Sequence, residues 1–260
     1  IREKSVIFFR KKATIALNPK YSFYNINESK SFISSKQLLQ ILPFKPDFIF
    51  IYWISGFMNL KLIHQIQKIT GAAVFFRMAD NSPITGGCHY PWKCLGFQFE
   101  CKNCPAILEQ IHKNIAAENL EYKRKYLPEN AVLLAGSEMD LQRAQRSTLY
   151  KNKRIERIMS FVDENKFSPK DKINSKKQLN LNQTQKIVSV LLSKVESYRK
   201  GNEVISRLLL LIEDYFTENN ILLLIAGISD DSSFKSKNCK LLGFLDEPSL
   251  IRFYQASDVF

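Results

Sequence analysis

"PDFIFIYWISGFMNLKLIHQIQKITGAAVFFRM" (46–78) is the stretch whose reading decides the fold. It opens on PDFIFIYW (46–53), an apolar run of strand length, rich in aromatic and β-branched residues. NLKLIHQIQKIT (59–70) then spaces Leu62, Ile63, Ile66 and Ile69 along one helical face, and Gly71 stands where a left-handed helix cap is expected. AAVFFRM (72–78) is a second apolar run of strand length. Strand, helix and strand joined by short connections predict a β-α-β unit with parallel strands.

The same rhythm continues outward. PAILEQIHKNIAAENLEYKRKYL (105–127) is helical by periodicity, NAVLLAGS (130–137) is a strand, EMDLQRAQRSTLY (138–150) a helix and RIERIMSF (154–161) a strand. Between 162 and 184 the apolar periodicity gives way to a polar, charged stretch containing Pro169, which reads as a linker. Alternation resumes with KIVSVLLS (186–193), NEVISRLLLLIEDYFTEN (202–219), ILLLIAG (221–227), CKLLGFL (239–245) and EPSLIRFYQAS (247–257). Asp246 suits the N-cap of that last helix, with Glu247 and Pro248 in its first turn, and DVF (258–260) starts another strand. The fold expected is α/β, with two successive Rossmann-like domains, 1–161 and 185–260, joined by the linker 162–184. No repeat of about 20–50 residues interrupts this pattern.

The chain has 260 residues, 45% hydrophobic and 24% charged, the composition of a globular protein and not of a disordered one. No apolar run approaches the roughly 18 residues that span a bilayer. IREKSVIFFRKK (1–12) lacks an initiator Met and a signal-like core, and DVF begins a strand without finishing it, so the expectation is a piece lacking both natural ends, with an incomplete second domain. A formal charge of +13 favours polyanionic partners, whether nucleic acid, anionic lipid surface or phosphorylated substrate, without choosing among them. Its lysines are scattered, as in KRK (123–125) and KNKR (151–154), which is the pattern of a solvated basic surface. Scattered lysines and the lack of a nucleic-acid module argue against nucleic-acid binding. Cysteines without a secretory signal point to a reducing, cytoplasmic setting.

Four of the five cysteines fall in DNSPITGGCHYPWKCLGFQFECKNCP (80–105), spaced Cys-x5-Cys-x6-Cys-x2-Cys at Cys88, Cys94, Cys101 and Cys104. Four thiols suffice for tetrahedral zinc, with His89 as a substitute ligand; unliganded thiols and disulfides are the alternatives that spacing leaves open. Cys239 suits a core position. Thr85, Gly86 and Gly87 form a turn after a strand, where backbone amides approach a ligand closely or simply turn the chain. Asp80 is a carboxylate at the same strand end, able to position a hydroxyl or cap a turn. In YRKGNEVI (198–205), Lys200 and Gly201 precede a helix, whose free N–H groups and positive dipole end suit a phosphate. Lys-Gly at that position serves equally as a plain cap.

The cysteine-rich segment resembles the Thr-Gly-Gly-Cys-His-Tyr region of family-4 retaining glycosyltransferases of a bacterial polysaccharide-biosynthesis branch. RKG (199–201) and LLGFLDEPSLIRFYQASDVF (241–260) are similar to that family's donor-side stretches, and KPDFIFIYWISGF (45–57) to its strand ending in His-Trp. The resemblance covers roughly 46–260. It implies a GT-B fold, two Rossmann-like domains facing across a cleft, and transfer of a sugar from a nucleotide-diphosphate sugar to a glycan or lipid-linked acceptor. On it, Lys200 and Gly201 lie at the donor diphosphate, Gly243 and Phe244 against the nucleotide base, and Asp80, Thr85, Gly86 and Gly87 on the acceptor side, with Asp80 the catalytic candidate. No catalytic metal is implied. Lipid-linked acceptors and the basic charge together imply peripheral contact with the inner membrane face. The chain carries Ala79 and Tyr52 where the family carries His, which suits the alternative of a non-catalytic glycan- or nucleotide-binding scaffold descended from such an enzyme.

Overall fold

The computed structural model describes residues 15–24, 27–193 and 197–260, so the opening segment 1–14 lies outside them. The chain divides into two compact units, Ile1–Ser160 and Phe161–Phe260, each built on its own parallel sheet.

In the first unit, β1 (Phe48–Ile51), β2 (Ala73–Arg77), β3 (Val132–Ala135) and β4 (Ile155–Arg157) lie side by side in sequence order, every pair parallel. The helices are α1 (Ser35–Ile41), α2 (Leu60–Thr70), α3 (Ile115–Tyr126) and α4 (Glu138–Arg146). Asn59 caps α2 by accepting the Leu62 N–H, and Gly71 ends it at φ 73°. Leu62, Ile63 and Ile66 are buried against Val74, Phe76 and Leu133, each contributing at most about 1.5–3 kcal/mol. Ile69, expected on that face, is instead 61% exposed, and Thr70 is buried. At about 100° per residue Thr70 falls nearer the centre of the stripe than Ile69 does.

The helix expected over 105–127 begins only at Ile115. The backbone of 106–108 is committed elsewhere: Asn18 N–H donates to the Ala106 carbonyl, Leu108 N–H to the Ala16 carbonyl, and Leu17 bridges Ile107 in antiparallel fashion. Ala106 and Ile107 are fully buried by that pairing, so tertiary contact overrides the local helical pattern.

In the second unit, α5 (Lys172–Gln178), β5 (Lys186–Leu191), α6 (Ser197–Lys200), α7 (Asn202–Glu218), β6 (Ile221–Ala226), β7 (Cys239–Leu241) and α8 (Glu247–Ala256) follow in order. The sheet runs β5-β6-β7, all parallel. Asp246 caps α8 by accepting the Ser249 N–H. Val259 bridges Val188 in parallel on the free edge of β5, and its carbonyl accepts the Ser189 N–H at 2.8 Å. The order of connection therefore reverses at β5, which makes its carboxyl end a topological switch point, where open α/β sheets hold ligands. The stretch 162–184 is more than bare chain. Asp171 caps α5, α5 packs on α8, and Leu181 joins the core around Ile187 and Phe253. Its periodicity is weak because little of α5 is buried beyond Ser175 and Lys176.

Candidate functional site

The crossover from β2 to α3, residues 78–114, carries only three single-turn 3-10 helices, Ser82–Ile84, Gly96–Gln98 and Gln110–His112. A loop of this length inside a packed unit is unusual unless it serves a function. Its first part returns to the carboxyl end of β2. Asp80 Oδ1 accepts the Ser82 N–H at 2.6 Å, and Oδ2 lies 2.7 Å from His89 Nδ1. Both side chains are buried. Burial acts to raise the Asp80 pKa, but the His89 hydrogen bond and charge, with the Ser82 N–H, outweigh it and hold the carboxyl below its ordinary range. An ionised carboxylate only accepts, so Nδ1 carries the hydrogen and Nε2 is left as the ring's other face. Nε2 is buried and finds no hydrogen-bond partner among the described residues.

The imidazole sits between two aromatic rings. Tyr24 meets it edge-on at 4.7 Å between centroids, and Trp53, just past β1, lies at 4.7 Å with a 46° tilt. Tyr24 and Trp53 are each at least half exposed, so the pair forms a solvent-facing rim around a buried, oriented histidine.

Backbone pairing fixes the segment: Asn81 N–H donates to the His89 carbonyl and His89 N–H to the Ser22 carbonyl. Thr85 is buried, and its hydroxyl donates to the Cys88 carbonyl at 2.5 Å while accepting the Gly87 N–H. Gly86 is needed for close packing: a Cβ there would stand 1.9 Å from the Ala116 carbonyl oxygen of α3. Thr85 and Gly86 thus hold the loop to its own scaffold.

Lys123 completes that hold. It sits almost wholly buried on α3, with Nζ 2.8 Å from Glu28 Oε1, 2.7 Å from the Ser82 carbonyl and 3.0 Å from the Thr85 carbonyl. Asn119, one turn earlier, donates to the Gly86 carbonyl at 3.2 Å. The sequence reading assigned the KRK run to a solvated surface; for Lys123 that is corrected by its burial. Nothing in a lysine triplet distinguishes the inward residue until the helix phase is known. A cleft of about 40 Å³ opens beside this network, bordered by Tyr52, Trp53, Arg77 and Lys123.

The cysteines follow. Cys88, Cys94, Cys101 and Cys104 are all free thiols and all border one cavity of about 20 Å³. Cys88 and Cys104 are hydrogen-bonded to each other. That bond, then burial, drives the Cys88 thiol far up; the same bond, helped by the Ala106 and Ile107 N–H groups, brings Cys104 down to about 7. Burial pushes Cys101 up to about 11. Among the described residues no group of three or more His, Cys, Asp or Glu side chains is arranged to hold a metal ion as it stands.

In the second unit the carboxyl edge is built from backbone. Gly227 N–H donates to the Gly243 carbonyl at 2.7 Å, and Gly243 N–H to the Ile228 carbonyl. Gly227 has φ 94°, and a Cβ on it would stand 2.0 Å from the Leu192 carbonyl oxygen, so only glycine lets these turns close. Phe244 is 92% exposed at this edge. Lys200 is exposed at the end of α6, and Gly201, at φ 74°, is the N-cap of α7 in the connection leaving β5. No family model matches the chain, and no curated protein matches it.

Chemically, the first unit offers an oriented, buried imidazole with an unpartnered Nε2 beside two exposed aromatic rings. The second offers backbone turns, a cation and an exposed aromatic side chain at its sheet's carboxyl edge. Sequence reasoning named Asp80 but not its partnership with His89, although the two bracket the Thr-Gly-Gly turn in DNSPITGGCHY (80–90). Among the described residues no helix is long and apolar enough to cross a membrane.

Proposed function

We propose that the chain is a retaining, hexosyltransferase-type glycosyltransferase of the GT-B kind, moving a sugar from a nucleotide-diphosphate sugar to a hydroxyl of a glycan or lipid-linked acceptor in cell-surface polysaccharide synthesis. The observation that carries this reading is the Asp80–His89 pair, its Nε2 unpartnered and its ring framed by Tyr24 and Trp53. Hydroxyl-rich ligands suit such a place, because an aromatic face attracts the C–H face of a sugar ring and an imidazole nitrogen accepts a hydroxyl proton. The motifs of the same segment support the family.

In the transfer, the acceptor oxygen forms the new bond to the anomeric carbon on the same face from which the bond to the diphosphate breaks, so that the configuration is retained. The diphosphate leaves with that bond's electron pair, and the hydroxyl proton passes to His89 Nε2. Asp80 holds the ring and offsets the charge it gains. On the family resemblance, Lys200 and the start of α7 are the groups assigned to the departing diphosphate, and Gly243 and Phe244 those assigned to the nucleotide base. No catalytic metal is needed for this scheme. The basic surface would hold the protein at an anionic inner membrane face, within reach of a lipid-linked acceptor.

The test is release of nucleoside diphosphate from a panel of nucleotide sugars, with and without hydroxyl acceptors. Turnover is expected, and His89→Gln is expected to lower it by about 10²-fold or more. Binding without turnover would favour the scaffold reading, to which Ala79 and Tyr52 point. Neither binding nor turnover with any nucleotide sugar would overturn the assignment.

A further inference from the structure

The four cysteines of the crossover have no role in the transfer proposed above, yet their surroundings are specific. The Cys104 carbonyl accepts the Ile107 N–H at 3.2 Å and the Lys113 ammonium at 3.1 Å, which fixes the turn that carries this cysteine. Cys94 Sγ accepts the Gly96 N–H at 3.4 Å, two residues onward. An N–H group aimed at sulfur stabilises thiolate over thiol. Cys101 and Asn103 adopt φ 53° and 51°, a tight left-handed turn between the last two cysteines. Gly96 packs beside two of the sulfurs: a Cβ on it would lie in ordinary contact, 3.4 Å from Cys94 Sγ and 3.8 Å from Cys101 Sγ. The cavity that all four border, about 20 Å³, has room for one water-sized species and no more.

We propose that Cys88, Cys94, Cys101 and Cys104 form a tetrathiolate site for one zinc ion, which staples the crossover that carries Asp80 and His89. A soft thiolate set in a tetrahedral number favours zinc over the hard divalent cations. The four are free thiols, and loading draws their sulfurs toward about 2.3 Å from the metal. Each ligating thiol that still carries a proton releases it to solvent. His89 is excluded from the ligand set: its Nδ1 is committed to Asp80, its ring is clasped by Tyr24 and Trp53, and it does not border the cysteine cavity. The staple reaches the dyad through covalent neighbourhood, Cys88 to His89, and through the Thr85 hydroxyl on the Cys88 carbonyl.

The test uses the whole chain expressed in zinc-supplemented medium. Elemental analysis is expected to give about one zinc per chain, and cobalt exchange to give the intense charge-transfer absorption of tetrahedral thiolate coordination. Mass-mapped alkylation should mark Cys239 alone in the loaded protein and all five cysteines after chelation. Cys94→Ser and Cys104→Ser should each cut zinc retention by about tenfold or more, whereas His89→Gln and Cys239→Ser should leave it unchanged. Chelation should also shift the emission of Trp53 and Trp92, the chain's two tryptophans, one of which touches His89. Less than about 0.2 zinc per chain in the wild type, with the cysteines disulfide-bonded or freely alkylated, overturns the site. Metal content that falls in His89→Gln overturns the tetrathiolate assignment, and unchanged tryptophan emission overturns the stapling role. The wild-type metal and cobalt measurements decide the matter even where a cysteine variant fails to fold.

Discussion

The crossover after β2 and the carboxyl edge of the β5-β6-β7 sheet are both candidate ligand regions, and they are made of different material. The first is built from side chains: Asp80, His89, Thr85, Lys123 and Glu28 are buried and joined by hydrogen bonds from distant parts of the unit. The second is built from backbone, with Gly227 and Gly243 closing the turns and Phe244 and Lys200 standing in solvent. A side-chain network is preorganised at the expense of being tied to folding, because each member buries a polar group that needs its partner. A backbone edge leaves its exposed side chains free to change with little effect on the fold. Function and stability should therefore be inseparable in the first region and separable in the second.

The harshest way to break that contrast is Lys123→Met. It leaves the Glu28 carboxylate buried without its cation and takes one donor from each of the Ser82 and Thr85 carbonyls, and should cost about 3–5 kcal/mol. Urea denaturation measures it; a loss within experimental error would mean that the network is ornamental. Lys200→Ala is the counterpart in the second unit. Its unfolding midpoint should not move, while nucleoside-diphosphate binding should weaken by about ten- to a hundredfold, the worth of a charge-assisted phosphate contact. Calorimetric titration reads this directly, and equal binding by both proteins would remove Lys200 from the site.

Glycine replacement sharpens the comparison, since here the two regions should behave alike. Gly86→Ala and Gly227→Ala each force a Cβ against a carbonyl oxygen, at 1.9 Å and 2.0 Å respectively, and should each cost about 1–3 kcal/mol or more by thermal or urea denaturation. A tolerated alanine at either position would mean that its loop can shift. The smallest effect concerns acid. The Asp80 carboxyl is held below its unfolded value, so its contribution is fully present above about pH 4 and is lost as pH falls through the lower folded value. Asp80→Asn should therefore flatten the acid limb of the stability profile relative to wild type. Parallel limbs would show that the His89 contact does not stabilise the ionised form.

Much of the fold was legible because parallel sheets leave a plain trace. Strands covered on both faces, such as ILLLIA in β6, are continuous apolar runs, and Gly71 and Asp246 punctuate helices by geometry that few other residues supply. The site was legible only in outline. The spacing of Asp80, the Thr-Gly-Gly turn and the cysteines drew attention to 80–105, but Tyr24, Glu28, Asn119 and Lys123 lie far from it in sequence and carry no local mark.

By itself, then, the sequence determined the alternation of strands and helices, the parallel sheets and the region where polar chemistry concentrates, since these follow from periodicity and from residues with restricted backbone preferences. Only the tertiary structure decided that His89 turns to Asp80, that Lys123 points inward while Ile69 faces out, and that 105–114 forgoes an α-helix while 106–108 pairs with 16–18. Each of those outcomes depends on which distant group satisfies a buried donor or acceptor, and that partner is chosen by the packing of the whole unit rather than by neighbours along the chain.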